Sequence, residues 1–203
     1  MFKLVLLSAI LALPAGGALA DDVLTALLGK DPGTGNGYAC FARHYDAAHL
    51  AGHPRQNVRD MLAFVASIYD QQSGYHQSRM ELGVGFRGLS RNMQVSGDCS
   101  TQVDGRPLFS CGVDCDGGNF SVATTGQGAI LLSIPGYARL WDPADTSDDD
   151  EAPLPKAAVF GSDDKAFQLD RVDIERCRSL MTDDDKHDLF GTPLPADDTA
   201  DGQ

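Results

Sequence analysis

The chain has 203 residues, of which 16 are basic and 29 acidic, so its formal net charge is −13 at pH 7. This balance excludes a nucleic-acid partner, because phosphates require clustered Lys and Arg, and it argues against adhesion to anionic lipid surfaces. A partner attracted by charge is instead expected to be basic, since opposite charges accelerate association.

The first twenty residues have the pattern of a secretory signal peptide (residues 1–20). Lys3 gives a positive start, an apolar run covers residues 4–13, and Ala18 and Ala20 are the small residues that precede a cleavage site. The apolar run is too short to span a bilayer. We therefore expect a periplasmic or secreted protein with no membrane insertion after cleavage. The mature chain of 183 residues would carry 15 basic and 29 acidic residues, a net charge of −14.

The segment that follows predicts little regular structure before the main fold. Residues 21–37 combine a short apolar patch with a Gly-rich run and predict a flexible N-terminal segment or a short helix. Residues 38–59 are the stretch before the β region that looks helical. Asp46 precedes good helix formers and can cap them, and Pro54 ends the run. We therefore expect one short N-terminal helix of about two turns.

From residue 61 onward, short apolar segments alternate with Gly, Ser, Asn and Asp. Along one of them, Met80, Leu82, Val84 and Phe86 fall on the same face of an extended chain. The nine candidate strands are residues 61–70, 78–88, 92–97, 106–114, 119–124, 128–136, 138–142, 156–161 and 165–172. Eight or nine short strands separated by turn residues predict a mainly β fold, an antiparallel sandwich or barrel.

The strands belong to one predicted domain, residues 38–181, stabilised by disulfide bonds. Within it, residues 142–156 are acidic and flanked by prolines, and residues 182–203 have a similar composition. Such segments contain too few apolar residues to build a core. We therefore expect a solvated acidic loop at 142–156 and a disordered acidic tail from residue 182.

The five cysteines predict disulfide bonds, because exported proteins normally fold in an oxidising compartment. Cys40 and Cys177 bracket the predicted domain, and a bond between them would close a long loop. An odd number of cysteines leaves one thiol over. Cys115 is the predicted free thiol, and we expect it to be buried as a small apolar side chain.

The remaining cysteines lie around a predicted hairpin. Asp104-Gly105 is a turn signal between two apolar runs, and a hairpin centred there places Cys99 opposite Cys111. That arrangement suits a disulfide. One bulge residue would instead bring Cys115 into range of Cys99, so both pairings stay open, with Cys99–Cys111 preferred. Residues 116–119 are expected to form a turn.

Two groups of residues are candidate metal ligands. His44, His49 and His53 lie close together in the sequence, and imidazole suits zinc or copper. Asp114 and Asp116 supply oxygen ligands of the kind that calcium takes. The spacing matches neither the zincin motif nor the EF-hand, and helix-cap and turn hydrogen bonds explain the same residues. No cofactor is predicted.

The sequence contains none of the short motifs of serine hydrolases, P-loop nucleotide-binding proteins or zinc proteases. It therefore predicts an exported, non-enzymatic β domain that binds an unknown protein or small-molecule partner in the cell envelope or outside the cell. A metal-binding protein is the alternative. A secreted hydrolase that uses a pair of acidic residues is a further hypothesis.

Overall fold

The computed structural model describes residues 18–103, 106–114, 116–125, 128–145 and 153–192. Its centre is a closed barrel of antiparallel strands, in which each strand pairs with the next along the chain and the last pairs with the first. The eight strands are β1 (Gly37–His44), β2 (Val58–Asp70), β3 (Tyr75–Phe86), β4 (Met93–Val103), β5 (Arg106–Gly112), β6 (Asn119–Thr125), β7 (Ala129–Ser133) and β8 (Ala166–Val172). The predicted mainly β fold is therefore confirmed, as a barrel.

Helices surround this barrel at the ends and on one side. They are α1 (Ala18–Leu28), α2 (Ala47–Gly52), a 3₁₀ helix (Ile174–Leu180) and α3 (Asp183–Phe190). In the part of the chain that the structure covers, no helix has the length and hydropathy needed to cross a bilayer.

Seven of the nine predicted strands are present, as β2 to β8, and one strand was missed. The missed strand, β1, lies in the stretch interpreted as helical. Its residues 39–42 are all buried, because the barrel interior covers one face and the C-terminal segment covers the other. A strand buried on both faces shows no polar–apolar alternation, so its sequence carries no period of two.

The barrel interior is a packed core. Met80, Leu82, Val84 and Phe86 of β3 are all fully buried in it, as their alternation predicts. The largest other side chains of this core that are almost fully buried are Leu27, Phe41, Met61, Met93, Phe109, Phe120, Ile130 and Phe167. Filling of this kind is typical of eight-stranded barrels, whose interior is just wide enough for side chains.

Helix α1 closes one end of the barrel. One face of the helix is apolar and buried in the core. This face consists of Leu24, Leu27 and Leu28. The Arg171 side chain donates to the carbonyl oxygens of residues 26–28 at the end of the helix. The prediction of a flexible segment is therefore wrong up to Leu28, and the short helix is found instead. The helix begins three residues before the predicted cleavage site, and cleavage itself stays a prediction.

The C-terminal segment packs on the outer wall of the barrel. The prediction of a disordered tail from residue 182 is wrong for its first part, where α3 forms. Thr182 and Asp185 make a reciprocal capping box, and Gly191 ends the helix with a φ of 65°. The aspartates that suggested disorder lie in the first turn, where the helix dipole favours negative charge. Residues 193–203 lie outside the described residues.

Both preferred disulfides are present. Cys40 of β1 is bonded to Cys177 of the 3₁₀ helix, and their Cα atoms are 5.9 Å apart. Cys99 and Cys111 are direct partners in the β4–β5 ladder and are bonded to each other, with a Cα–Cα distance of 4.0 Å. Cys115, the predicted free thiol, lies outside the described residues, as does the predicted turn at 104–105.

Candidate ligand pocket

A long connection between β7 and β8 covers the end of the barrel opposite α1. The two ends of β8 show this arrangement. Helix α1 lies against Arg171, near the end of β8, whereas the connection leads into the start of the same strand. The connection spans residues 134–165, and the structure describes it except for residues 146–152. Its two described parts form the walls of a pocket.

The pocket has a volume of about 500 Å³ and opens to solvent. Its buried floor includes Ala138 and Ala158, and its rim carries the exposed side chains of Tyr137 and Val159. The lining residues that the structure describes are Gly136, Tyr137, Ala138, Arg139, Leu140, Leu154, Ala158, Val159, Phe160 and Lys165. The volume and the mainly apolar lining are those of a small-molecule site.

Backbone hydrogen bonds hold the first wall, residues 136–141, to the barrel. The Arg139 N–H donates to the Gly117 carbonyl at 2.7 Å, and the Trp141 N–H donates to the Gln94 carbonyl at 2.9 Å. The wall is therefore added to the sheet by isolated bridges rather than as a full strand. This explains why residues 138–142, predicted as a strand, are not one.

The turn at residues 116–119 supports that wall, as its glycines show. Gly118 has a φ of 85°, and a Cβ there would lie 2.0 Å from the Tyr137 carbonyl oxygen. Only glycine permits this close approach. The Tyr137 hydroxyl donates in return to the Asp116 carbonyl. The turn starts earlier than predicted, because the Gly117 N–H donates to the Asp114 carbonyl and Asn119 already belongs to β6. Its function in the fold is to position the pocket wall.

A buried carboxylate holds the second wall, residues 153–164. Asp164 is fully buried and accepts hydrogen bonds from the backbone N–H groups of Asn57 at 2.8 Å, Val58 at 3.2 Å and Gly161 at 2.7 Å. Backbone donors of this kind satisfy a buried carboxylate without a cation. The wall is thereby fixed to the residues that lead into β2.

Aromatic packing completes the second wall. The Phe160 ring meets the Phe86 ring of the core edge-on, with centroids 5.5 Å apart. The segment 156–161, predicted as a strand, is not one, since its apolar side chains pack on the barrel end and line the pocket without ladder pairing.

Two of the lining residues are charged, and both are basic. Arg139 lies on the first wall, and Lys165 lies where the second wall enters β8. The Lys165 ammonium donates to the Gly136 carbonyl across the pocket at 3.4 Å. None of the lining residues that the structure describes is acidic.

The His49 and His53 rings stack with centroids 4.2 Å apart, and each of the three predicted histidine ligands has a hydrogen-bond partner. The His44 ring is paired with Asp60, and the His53 ring is hydrogen-bonded to the His49 carbonyl at 2.8 Å. The His49 ring contacts the Gln56 side-chain oxygen at 3.0 Å. Asp46 caps α2 by accepting from the His49 N–H, as the structural interpretation of this cluster predicts.

The aspartates proposed for calcium lie in the turn between β5 and β6. Asp114 and Asp116 are exposed residues of the turn, and Asp116 adopts a left-handed φ of 59°, which Asp tolerates better than most residues. Within the described ranges, no three His, Cys, Asp or Glu side chains are grouped in a way that could hold a metal ion. The hypothesis of a hydrolase needs two carboxylates in a cleft, and the described lining residues of this pocket include none; the hydrolase stays a hypothesis.

The pocket was not predicted from the sequence. Its apolar residues at 138–142 and 156–161 were recognised but assigned to strands. The signal that could have separated them was the flanking proline and acidic residues at 142–156, which interrupt the regular strand spacing. Comparison of the chain with family models, curated proteins and solved structures gave no match, so the pocket is interpreted from its own residues.

Proposed function

We propose that the protein is an exported, non-enzymatic barrel that binds a small apolar or amphiphilic molecule in the pocket between the two walls. The observation that carries this proposal is the pocket itself: about 500 Å³, open to solvent and mainly apolar. The walls are held by a glycine turn and a buried carboxylate, so the site is largely formed before a ligand arrives. Preformed sites bind with a smaller loss of conformational entropy.

Two features support export to the periplasm or the extracellular space. The first twenty residues have the pattern of a signal peptide. The fold also contains two disulfides, which are typical of oxidising compartments. N-terminal sequencing of the protein recovered outside the cytoplasm should begin at Asp21. Recovery of the whole protein in the cytoplasm with an intact N-terminus would contradict this part of the proposal.

Binding is tested with the neutral fluorescent dye N-phenyl-1-naphthylamine, whose emission rises in apolar sites. We expect the protein to bind it in a saturable way. The blocking variant is Gly136→Trp, because Gly136 lines the pocket and a side chain at this position would meet no atom within 4 Å. The new Cβ should therefore meet no clash, and the bulky indole should reduce the space available to the dye.

The matched control is Gly52→Trp. Gly52 lies in α2, lines no part of the pocket and has equally open space around it. We expect Gly136→Trp to weaken dye binding at least tenfold and Gly52→Trp to leave it unchanged. Absence of saturable binding to the unchanged protein, or equal binding by both variants, would overturn the proposed function.

A further inference from the structure

The walls of the pocket carry apolar side chains that the fold itself does not bury. Among the described residues, five large apolar or aromatic side chains are exposed, and three of them belong to the two walls: Tyr137, Trp141 and Val159. Tyr137 and Val159 also line the pocket, on opposite walls. Exposed apolar side chains grouped at one site are typical of a binding surface. A ligand that covers the rim would remove this apolar surface from water.

The Tyr137 ring is exposed and yet held in place. It is 57% exposed, and its hydroxyl donates to the Asp116 carbonyl. A Cβ at Gly118 would lie 3.5 Å from its Cδ2 atom, so the ring lies beside the glycine turn that supports the first wall. A tyrosine side chain has only two torsions and loses little entropy when it contacts a ligand. The ring is therefore a preformed flat surface at the rim.

The second wall also contributes an aromatic ring to the pocket. Phe160 lines the pocket and is half-buried, and its ring meets the Phe86 ring of the core edge-on. The pocket thus has one aromatic residue on each wall, Tyr137 on the first and Phe160 on the second. Aromatic rings attract one another in offset-stacked and edge-to-face arrangements, beyond the effect of buried area. A saturated ligand would gain from buried area alone.

We infer that the ligand of the pocket carries a flat aromatic ring, which binds at the rim against Tyr137. This inference depends on the proposed function and narrows it from apolar molecules in general to aromatic ones. It assigns to Tyr137 a role in specificity, because the ring of this residue distinguishes a flat partner from a puckered one of the same size. Phe160 supplies the aromatic surface of the second wall.

The inference is tested by displacement of N-phenyl-1-naphthylamine with two neutral probes, 2-naphthylmethanol and its fully saturated counterpart decahydro-2-naphthylmethanol. The two probes share one carbon skeleton and one alcohol group, and they differ in whether the rings are flat and aromatic. The saturated probe has the larger apolar surface, so buried area alone predicts that it binds at least as tightly. We expect the aromatic probe to bind about threefold more tightly instead.

Two variants of Tyr137 assign this preference to its ring. Tyr137→Leu keeps an apolar side chain and removes the aromatic surface, so it should lower the affinity for the aromatic probe about threefold and leave the affinity for the saturated probe unchanged. Tyr137→Phe keeps the ring and removes only the hydroxyl that contacts Asp116. It should retain the preference for the aromatic probe.

The matched control is Tyr75→Leu, the same substitution at an aromatic residue that is 74% exposed. Tyr75 begins β3, whereas Phe86, at the other end of that strand, packs against Phe160 of the second wall. Tyr75 is therefore remote from the pocket. We expect Tyr75→Leu to change the affinity for neither probe.

The outcomes separate this inference from the function on which it rests. The aromatic assignment is wrong, and the proposed function stands, if the dye binds but the saturated probe displaces it as well as the aromatic one. The same conclusion follows if neither probe displaces the dye, if Tyr137→Leu weakens both probes alike, or if Tyr137→Phe also loses the preference. If the dye does not bind to the unchanged protein, both the inference and the proposed function are wrong.

Discussion

Arg79 of β3 donates a hydrogen bond to Asp185 of α3, and this contact joins the barrel wall to the C-terminal helix. Asp185 is buried and also accepts from the backbone N–H and the hydroxyl of Thr182, each at 2.9 Å. One carboxylate therefore caps α3 and anchors it. Glu81 lies beside the pair, 3.8 Å from the Arg79 guanidinium, so a polar cluster underlies the docked helix.

Replacing Asp185 with Ala should destabilise the protein by about 3 kcal/mol, because Arg79 loses its buried partner and α3 loses its cap. Urea unfolding at neutral pH measures this. Asp184→Ala, one residue earlier and exposed, is the control and should cost less than about 0.5 kcal/mol. Equal effects of the two substitutions would show that Asp185 does not anchor the helix.

The Glu81→Gln variant should gain stability relative to the unchanged protein as the pH rises. Burial raises the pKa of the Glu81 carboxyl above its ordinary value of 4.5, and the nearby charges of Asp185 and Asp98 raise it further. A hydrogen bond from Ser96 and the charge of Arg79 partly oppose this increase. A raised pKa means that the folded state holds the proton more tightly, so the associated stability is present at acidic pH and is lost as the pH rises through the folded pKa. Gln cannot ionise and avoids that loss.

Urea unfolding of both proteins at about pH 4 and about pH 7 gives the comparison. The stability of Glu81→Gln minus that of the unchanged protein should be more favourable at the higher pH. A difference that is the same at both pH values, or that favours the variant at the lower one, would contradict the assignment.

Loss of the two disulfides should have unequal effects. Cys40 and Cys177 are 137 residues apart, whereas Cys99 and Cys111 are only 12 apart and already paired in a ladder. In the loop-entropy treatment, replacing the first pair with Ala should cost about 5 kcal/mol and replacing the second about 3 kcal/mol. Guanidinium unfolding of the two double variants tests this order. A larger loss for the hairpin bond would reverse the expected ranking.

Asp164→Asn should disturb the second pocket wall. The Asn amide would direct N–H groups at backbone N–H donors that the carboxylate now satisfies, at a cost of about 2 kcal/mol. The neighbouring Asp163 makes a partly exposed ion pair with Arg55, so Asp163→Asn should cost less than about 1 kcal/mol. Thermal unfolding and dye binding are measured together. We expect only Asp164→Asn to weaken both.

Gly118→Ala should displace the first wall, because the new Cβ would meet the Tyr137 carbonyl oxygen and the backbone is left-handed at this residue. The expected cost is at least about 2 kcal/mol, together with weaker dye binding. Gly112→Ala is the matched control, since its Cβ would meet no atom within 4 Å and its φ is not positive. Dye affinity unaffected by Gly118→Ala would show that the turn does not position the pocket.

The parts of the fold that were predictable depend on local patterns. Met80 to Phe86 alternate because only one face of that part of β3 enters the core, and the hairpin signal at 104–105 placed Cys99 opposite Cys111. The actual register includes an irregularity between Ser100 and Gln102 that the sequence did not indicate. The local turn signal was sufficient to predict the Cys99–Cys111 disulfide but not the irregularity in the register.

The parts that were missed depend on contacts between distant segments. β1 is apolar on both faces only because the C-terminal segment covers its outer side. The helix α3 forms at acidic residues because Arg79 and Thr182 satisfy Asp185. The pocket arises where residues 136–140 meet residues 154–160. The periodicity within one segment does not indicate that this segment contacts a distant one.

The barrel closes through a short seam, in which β1 and β8 share only the partners Cys40–Val172, Phe41–Arg171 and Ala42–Asp170. The Cys40–Cys177 disulfide joins β1 to the 3₁₀ helix that follows β8. It therefore links an early cysteine to the last one to be synthesised. In the exported chain that we propose, Cys40 emerges first, followed by Cys99, and oxidation in the order of emergence would join those two. We therefore expect a disulfide isomerase to raise the yield of native protein from an exported chain.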